Sequence, residues 1–399
     1  MHAQTRTARG APWRAACAAA LAAWLAACGG GGDTSAPTGT AALQSFATGP
    51  ITGLGSVIVN GVRFDDSTAR VESDDDGSVR HARELKLGMM VEVQAGAIDD
   101  STARAVAGVI RFGSELVGAV TSLDAATSTL RMLDQTVEVK TTTVFEEGLA
   151  GFGALTVGQV LEIHAQFNGA SGRYIATRIE REDGATVFRL RGRIAALDTT
   201  AKTFRIGDAV INYAGVAAAE LPSLADGQRV RVRLQTAKVN NQWVATTVRS
   251  GVRRVDDFGD ARLRGLVTAF TSAQQFEIQG IAVDASSARF EPNAAAVVLG
   301  ALVEVRGTAA AGKIVASRVN VRNERDDDLR RVELHGTASA LDTAAKTFVL
   351  REIKIDYSQV SEWKDGAPAD LANGKLLEVK GVWSLDRRTL IAAVIEFEG

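Results

Sequence analysis

Residues 190–204 read LRGRIAALDTTAKTF, and residues 334–348 read LHGTASALDTAAKTF. Weaker copies of the same run begin at Gly118 (GAVTSLDAATSTL) and Gly265 (GLVTAFTSAQQF), with a degenerate one near Gly53. A second marker follows each in phase: LGMMVEV from Leu87, VGQVLEI from Val157, DGQRVRV from Asp226, LGALVEV from Leu299 and NGKLLEV from Asn373. A third closes each unit: ARAVAGVI, YIATRIE, WVATTVR, IVASRVN and LIAAVIE. Three markers recurring in one order at a fixed spacing are the signature of a repeat architecture. The chain therefore reads as five copies of one unit of about 70 residues, each too small for a large core of its own.

Within a copy the residues alternate. In copy three, Leu190, Ile194 and Leu197 begin a first strand and Phe204 and Ile206 lie on a second. Gly207-Asp208 turns into Ala209–Tyr213, Arg229–Leu234 alternates strongly, and Trp243–Val248 forms the last strand. Period-two alternation marks half-buried strands. Asn60-Gly61 between two apolar runs marks a hairpin. Val216–Leu224, and Asn293 with the alanines after it, each read as one short helix. Strand–strand–strand–short helix–strand–strand is the order of an OB-type barrel. The expected fold is all-β, a tandem array of about five small OB-like five-stranded β-barrel domains, each with at most one short helix and packed on its neighbours. The boundaries fall at residues 49–114 (degenerate), 115–187, 188–255 (basic), 256–328 and 329–399.

The N-terminus carries an address. Arg6, Arg9 and Arg14 precede an Ala/Leu-rich run from Ala15 to Ala27 that is too short to span a bilayer. Leu25-Ala26-Ala27-Cys28 resembles a bacterial lipobox, which makes residues 1–27 a signal peptide and Cys28 the lipidated first residue. Gly29 after the Cys, by resemblance to sorted lipoproteins, favours the outer membrane, with the periplasmic or surface face left open. Residues 28–48 read as the lipidated Cys and a flexible tether reaching on the order of 25 Å. The only other Cys, Cys17, lies in the signal, so the mature chain has no thiol or disulfide.

Tandem G-x-V-x-x-L-D, T-F-x-I and L-x-x-G-x-x-V-E-V units behind a lipobox and a Gly-rich tether resemble bacterial lipoproteins built from domain-of-unknown-function family 5666. The resemblance covers about residues 49–399, and copies three and five fit it best. It implies fold and location, and brings no activity, substrate or catalytic residue.

Chemistry is sparse. There is no HExxH, GxSxG or P-loop, and the mature chain's His81, His164 and His335 lie in separate copies. By alternation, His164 and His335 read as exposed strand residues without a partner at ligand spacing. The run Glu72–Gly77 resembles the start of a calcium loop, but Arg83 stands where the bidentate Glu belongs. Asp326–Asp328 and Asp256-Asp257 read as solvated junctions beside Arg330-Arg331 and Arg253-Arg254. No catalytic residue, metal site or cofactor is expected.

Charge carries more. The precursor is −2, and losing the three signal arginines makes the mature chain −5. Residues 188–255 nevertheless hold 12 Lys/Arg against 4 Asp/Glu. Arg189, Arg191 and Arg193 share one strand face, and Arg229, Arg231 and Arg233 share another. First and fourth strands are neighbours in an OB-type barrel, so the triplets should form one patch, with Arg205 near it. Like charges across a ladder repel, and guanidinium suits phosphate and carboxylate. The first expectation is a non-enzymatic envelope lipoprotein, spacer and binding surface at once. It would be held to the membrane by its lipid and would meet an anionic glycan, lipopolysaccharide or an acidic envelope protein through this patch. The alternative is a structural or assembly partner of another envelope protein, its arginines satisfied internally. A polysaccharide-acting hydrolase is the remote third. Nucleic acid is not expected, because exposed aromatics for base stacking are few.

Overall fold

The computed structural model describes residues 43–251, 255–322, 331–351, 353–384 and 389–398. The signal, Cys28 and most of the tether, together with Arg253-Arg254, Asp326–Asp328 and Arg330, lie outside the described residues. Each copy closes into the same small barrel. In copy three, strand one (Phe188–Arg193, continued as Ala195–Asp198) pairs antiparallel with Arg229–Leu234 on one side and Thr203–Ile206 on the other. Thr203–Ile206 pairs with Ala209–Asn212, which runs parallel to Trp243–Ser250, and that strand returns to Arg229–Leu234. The strand order 1-2-3-5-4-1 closes the barrel, as in an OB-type fold, while the first half of strand one keeps an edge that pairs with another copy.

The expected helices shrink. Val216–Leu224 contains a single 3-10 turn, Ala218–Glu220, and the alanines after Asn293 form another, Ala294–Ala296. Pro222 has no N–H to give and blocks a longer helix in the first, while Val216 is drawn into the core.

The first two markers now have physical causes. The Asp of L-D closes the turn between strands one and two. Asp198 Oδ1 accepts the N–H groups of Thr200 and Ala201, and Asp342 Oδ1 those of Ala344 and Ala345. The Gly of G-x-V lets strand two cross strand one closely. A Cβ on Gly192 would lie 2.3 Å from Ile206, and one on Gly118 2.9 Å from Leu133. The Gly of the second marker sits at φ 80, 90, 82, 81 and 90° in the five copies (Gly88, Gly158, Gly227, Gly300, Gly374). Its N–H donates to a strand-one carbonyl each time, Gly227 to Ile194 at 2.8 Å and Gly374 to Ala338 at 2.8 Å. Only glycine takes that conformation without cost. In the degenerate copy, Asn60 (φ 53°) and Gly61 (φ 74°) form the expected hairpin turn between Val57–Val59 and Val62–Asp65.

The barrels do not follow one another as beads. Strand one of copy one, Ser45–Leu54, runs parallel to copy four (Ser45↔Asp260 to Thr48↔Leu263) and then to copy five (Gly53↔Glu333, Leu54↔Leu334). It begins inside the stretch read as tether, so copy one starts at Ser45 rather than residue 49. Copies two and three join through Arg189↔Val117 and Leu190↔Leu116. The cores merge accordingly. One apolar cluster runs through copies one and five, and another through copies two and three. A third fills copy four and takes in Phe46 of copy one, stacked on Phe258. Shared cores answer the difficulty that a 70-residue barrel faces alone.

Candidate functional site

The two arginine triplets do face each other. In the antiparallel register Arg189 lies opposite Arg233, Arg191 opposite Arg231, and Arg193 opposite Arg229. Their surroundings differ from the expectation of an open patch, because carboxylates from three other copies enter it. Asp75 of copy one accepts from Arg189 Nη1 at 2.5 Å, and Glu162 of copy two from Arg189 Nη2 at 3.1 Å. Asp74 of copy one pairs with Arg191 and, at 2.8 Å, with Arg231 Nη1. Glu115 of copy two accepts from Arg229 Nη2 at 2.6 Å and lies 3.6 Å from Arg191 Nη1. Arg193 donates to the Gly227 carbonyl and pairs with Glu277 of copy four. Arg233 donates to the Asp75 carbonyl. Arg205 is exposed and donates to the carbonyls of its own turn, Gly207 and Asp208.

The centre of this cluster is buried. Glu115 is 1% exposed, Arg191 2% and Arg229 4%. Burial alone would lower the Arg191 pKa, but Glu115 and then Asp74 outweigh it and hold the guanidinium above its ordinary value. Burial raises Asp75 against the pull of Arg189 and Arg191, and lowers Arg231 against that of Asp74. The buried Tyr174 hydroxyl completes the site by donating to the Arg191 carbonyl at 2.6 Å. The repulsion across the ladder is therefore offset from inside the molecule by these carboxylates. The acid run read as a failed calcium loop supplies two of the counter-ions, and a spacing argument confined to that run has no way to find Arg191 more than a hundred residues away.

Both histidines read as exposed are enclosed. His164 is 1% exposed, its Nδ1 3.1 Å from the Gly113 carbonyl, and burial lowers its pKa. Its strand face is polar, as the alternation says, yet copy one covers that face: Met90 lies against Gln166, and Arg178 Nη1 donates to the Leu87 carbonyl. His335 sits where copies one and five meet. Its Nδ1 is 2.8 Å from Glu398 and its Nε2 lies near Glu333 and Glu378, with the Arg63 guanidinium of copy one against all three. Ligand atoms of Glu333, His335 and Glu378 lie within 4.8 Å of one another. His335 thus has partners at ligand spacing, Glu333 two residues before it and Glu378 directly across the ladder. A cation already serves them: Arg63, with Lys380 at 2.8 Å from Glu378.

Comparison with known proteins bears on fold and repeat. Residues 117–180, 264–320 and 335–396 match the family model "Domain of unknown function (DUF5666)". These are copies two, four and five; copy three, whose markers read most cleanly, lies outside the matched segments. No curated protein matches the chain. Among solved structures, "drosophila Unr CSD456" aligns at 14% identity over 53% of this chain and 98% of that one, with a TM-score of 0.14, too low to carry an argument. The chain is a tandem array of small all-β barrels, three copies of which carry the DUF5666 pattern.

Proposed function

We propose that the protein is a non-enzymatic, lipid-anchored envelope scaffold, held at the outer membrane through Cys28, whose five barrels act as one body against another envelope component. The observation behind this reading is the use of the copy-three arginines. They tie copies one, two and four to copy three through Asp74, Asp75, Glu115, Glu162 and Glu277. Cations spent in this way hold barrels in register, and burying them makes the register specific. The Leu25–Cys28 lipobox supports the location.

The test is binding of residues 29–399 to anionic envelope glycans and lipopolysaccharide across a salt series, alongside thermal unfolding. A matched variant carries Arg191, Arg229, Arg231 and Arg233 changed to Gln. The scaffold reading expects a large loss of stability in the variant and no saturable glycan binding by either protein. Saturable, salt-sensitive binding that the folded variant loses would return the patch to the role of a ligand site. Labelling with a fatty-acid analogue, abolished by Cys28→Ser, tests the anchor.

A further inference from the structure

A cavity lies where copies one, two, four and five meet. Two chambers abut there, and Leu87, Val144 and Trp383 line both. The first, of about 200 Å³, is walled mainly by hydrocarbon from all four copies, including Ile51, Ile175, Leu266, Leu302 and Trp383. The second, of about 390 Å³, is bordered by Lys86, Arg178, Arg351 and Lys354, against Glu146 and Glu147. Glu146 is already taken by Arg181, whose Nε and Nη2 both donate to it at 2.8 and 2.7 Å. Arg178 and Lys86 are in turn answered by Glu180, which leaves Arg351 and Lys354 against Glu147, a small cationic excess.

Two polar atoms are left over. Arg178 is 7% exposed, and its Nε, though buried, has no hydrogen-bond partner, while its Nη1 and Nη2 serve the Leu87 carbonyl and Glu180. Thr177 Oγ1, in the wall of the first chamber, is likewise buried and unbonded. Unbonded buried donors are expensive, and a guanidinium N–H at the edge of a cationic chamber suits an anionic oxygen. Small-molecule sites pair an apolar wall with a few placed polar groups in roughly 300–1,000 Å³, and the two chambers together fall in that range.

We propose that this cavity binds a single-chain anionic amphiphile, its aliphatic tail in the first chamber and its carboxylate or phosphate head in the second, facing Arg178, Arg351 and Lys354. The site is independent of the scaffold reading and of the arginine cluster, since it shares no residue with that cluster.

The test is calorimetric titration of the full chain carrying Cys28→Ser, so that no attached lipid competes, with dodecanoate below its aggregation limit. Dodecyltrimethylammonium supplies the same tail with the opposite head, and acetate the head without a tail. Saturable binding of dodecanoate alone is expected. Thr142→Trp, which places a large side chain at a half-buried position in the first chamber, should abolish it. Lys354→Glu, at an exposed position on the second, should weaken it about threefold, the worth of an exposed ion pair. Both variants are checked for an unchanged unfolding midpoint, and either one that folds suffices. No saturation, equal binding of the cationic amphiphile, or undiminished binding by folded Thr142→Trp would overturn the proposal.

Discussion

Copies one and three meet over ions, Asp74 reaching Arg191 and Arg231, and copy two adds Glu115 to Arg229 beside the apolar core it shares with copy three. Copies one and five meet chiefly over hydrocarbon: Leu54 and Val57 join Leu334, Phe348 and Trp383 in one cluster. Burial of apolar surface stabilises at roughly 25 cal/mol per Å² and does so almost whichever partner covers it. A buried ion pair gains little net energy after desolvation, but misplacing one partner is severe. Five barrels of similar shape in one chain risk docking on the wrong copy, a failure characteristic of repeat proteins. The apolar junctions supply the energy, and the ions make wrong pairings costly.

The comparison breaks most sharply at Glu115. Glu115→Gln leaves Arg191 and Arg229 buried with one formal counter-charge fewer and should destabilise by about 3–5 kcal/mol. Replacing all three by apolar residues (Glu115→Leu, Arg191→Met, Arg229→Met) should restore most of that stability in urea unfolding while lowering the refolded yield, because the specifying charges are gone. A triple variant as unstable as Glu115→Gln, or one refolding as cleanly as wild type, would refute the division of labour. At the apolar junction, Leu334→Ala should cost about 2–5 kcal/mol, the usual range for a buried cavity, with refolding yield unchanged.

A smaller effect tests the repeat itself. Gly227→Ala should cost about 1–2 kcal/mol, since its φ of 82° disfavours any Cβ. Gly259→Ala, with only the Gln44 carbonyl at 3.9 Å and no positive φ, should cost far less in the same unfolding assay.

Acid should loosen the copy-one/copy-two contact through His164. Its folded pKa lies below the ordinary 6.5. Between the two values the unfolded chain binds the extra proton, so stability is full above 6.5 and is lost as the pH falls through that window. Glu162, Glu180 and Asp75 face the ring and favour its protonation, and Arg178 opposes it, but burial dominates. Asp75 works the other way and lower down: its folded value is raised above 3.8, so its charged form costs stability as the pH rises through that region. His164→Gln should flatten the unfolding profile between pH 5 and 7, roughly the range in which His titrates; an unchanged slope would show that another group carries it.

How much of this was legible follows from range. The barrel was, because alternation, the L-D turn and the positive-φ glycine act within about 30 residues and recur in phase. The facing of Arg189–Arg193 and Arg229–Arg233 was legible too, since barrel order fixes it. The far side of each contact was not. Asp74 and Arg191 are 117 residues apart and His335 and Arg63 272, and nothing in a two-residue period says which outer face another copy will cover. For the same reason His164 looked exposed: polar alternation separates barrel inside from barrel outside, and here the outside is itself buried.

The smallest expected effect sharpens this point. Arg205 belongs to the same basic copy and was grouped with the patch by sequence. It is exposed and donates only to carbonyls of its own turn, at 3.3 and 3.5 Å. Arg205→Gln should therefore change stability by no more than about 0.5 kcal/mol, as surface substitutions do. Arg229→Gln, which removes a buried partner of Glu115, should cost several times more. Both variants lose one positive charge from the same copy, so their net-charge effects are equal and cancel in the comparison. What remains is the difference between a cation in water and one that closes a junction. If the two variants unfold alike, the cluster is only a collection of surface charges, and the case for an ion-specified register fails with it.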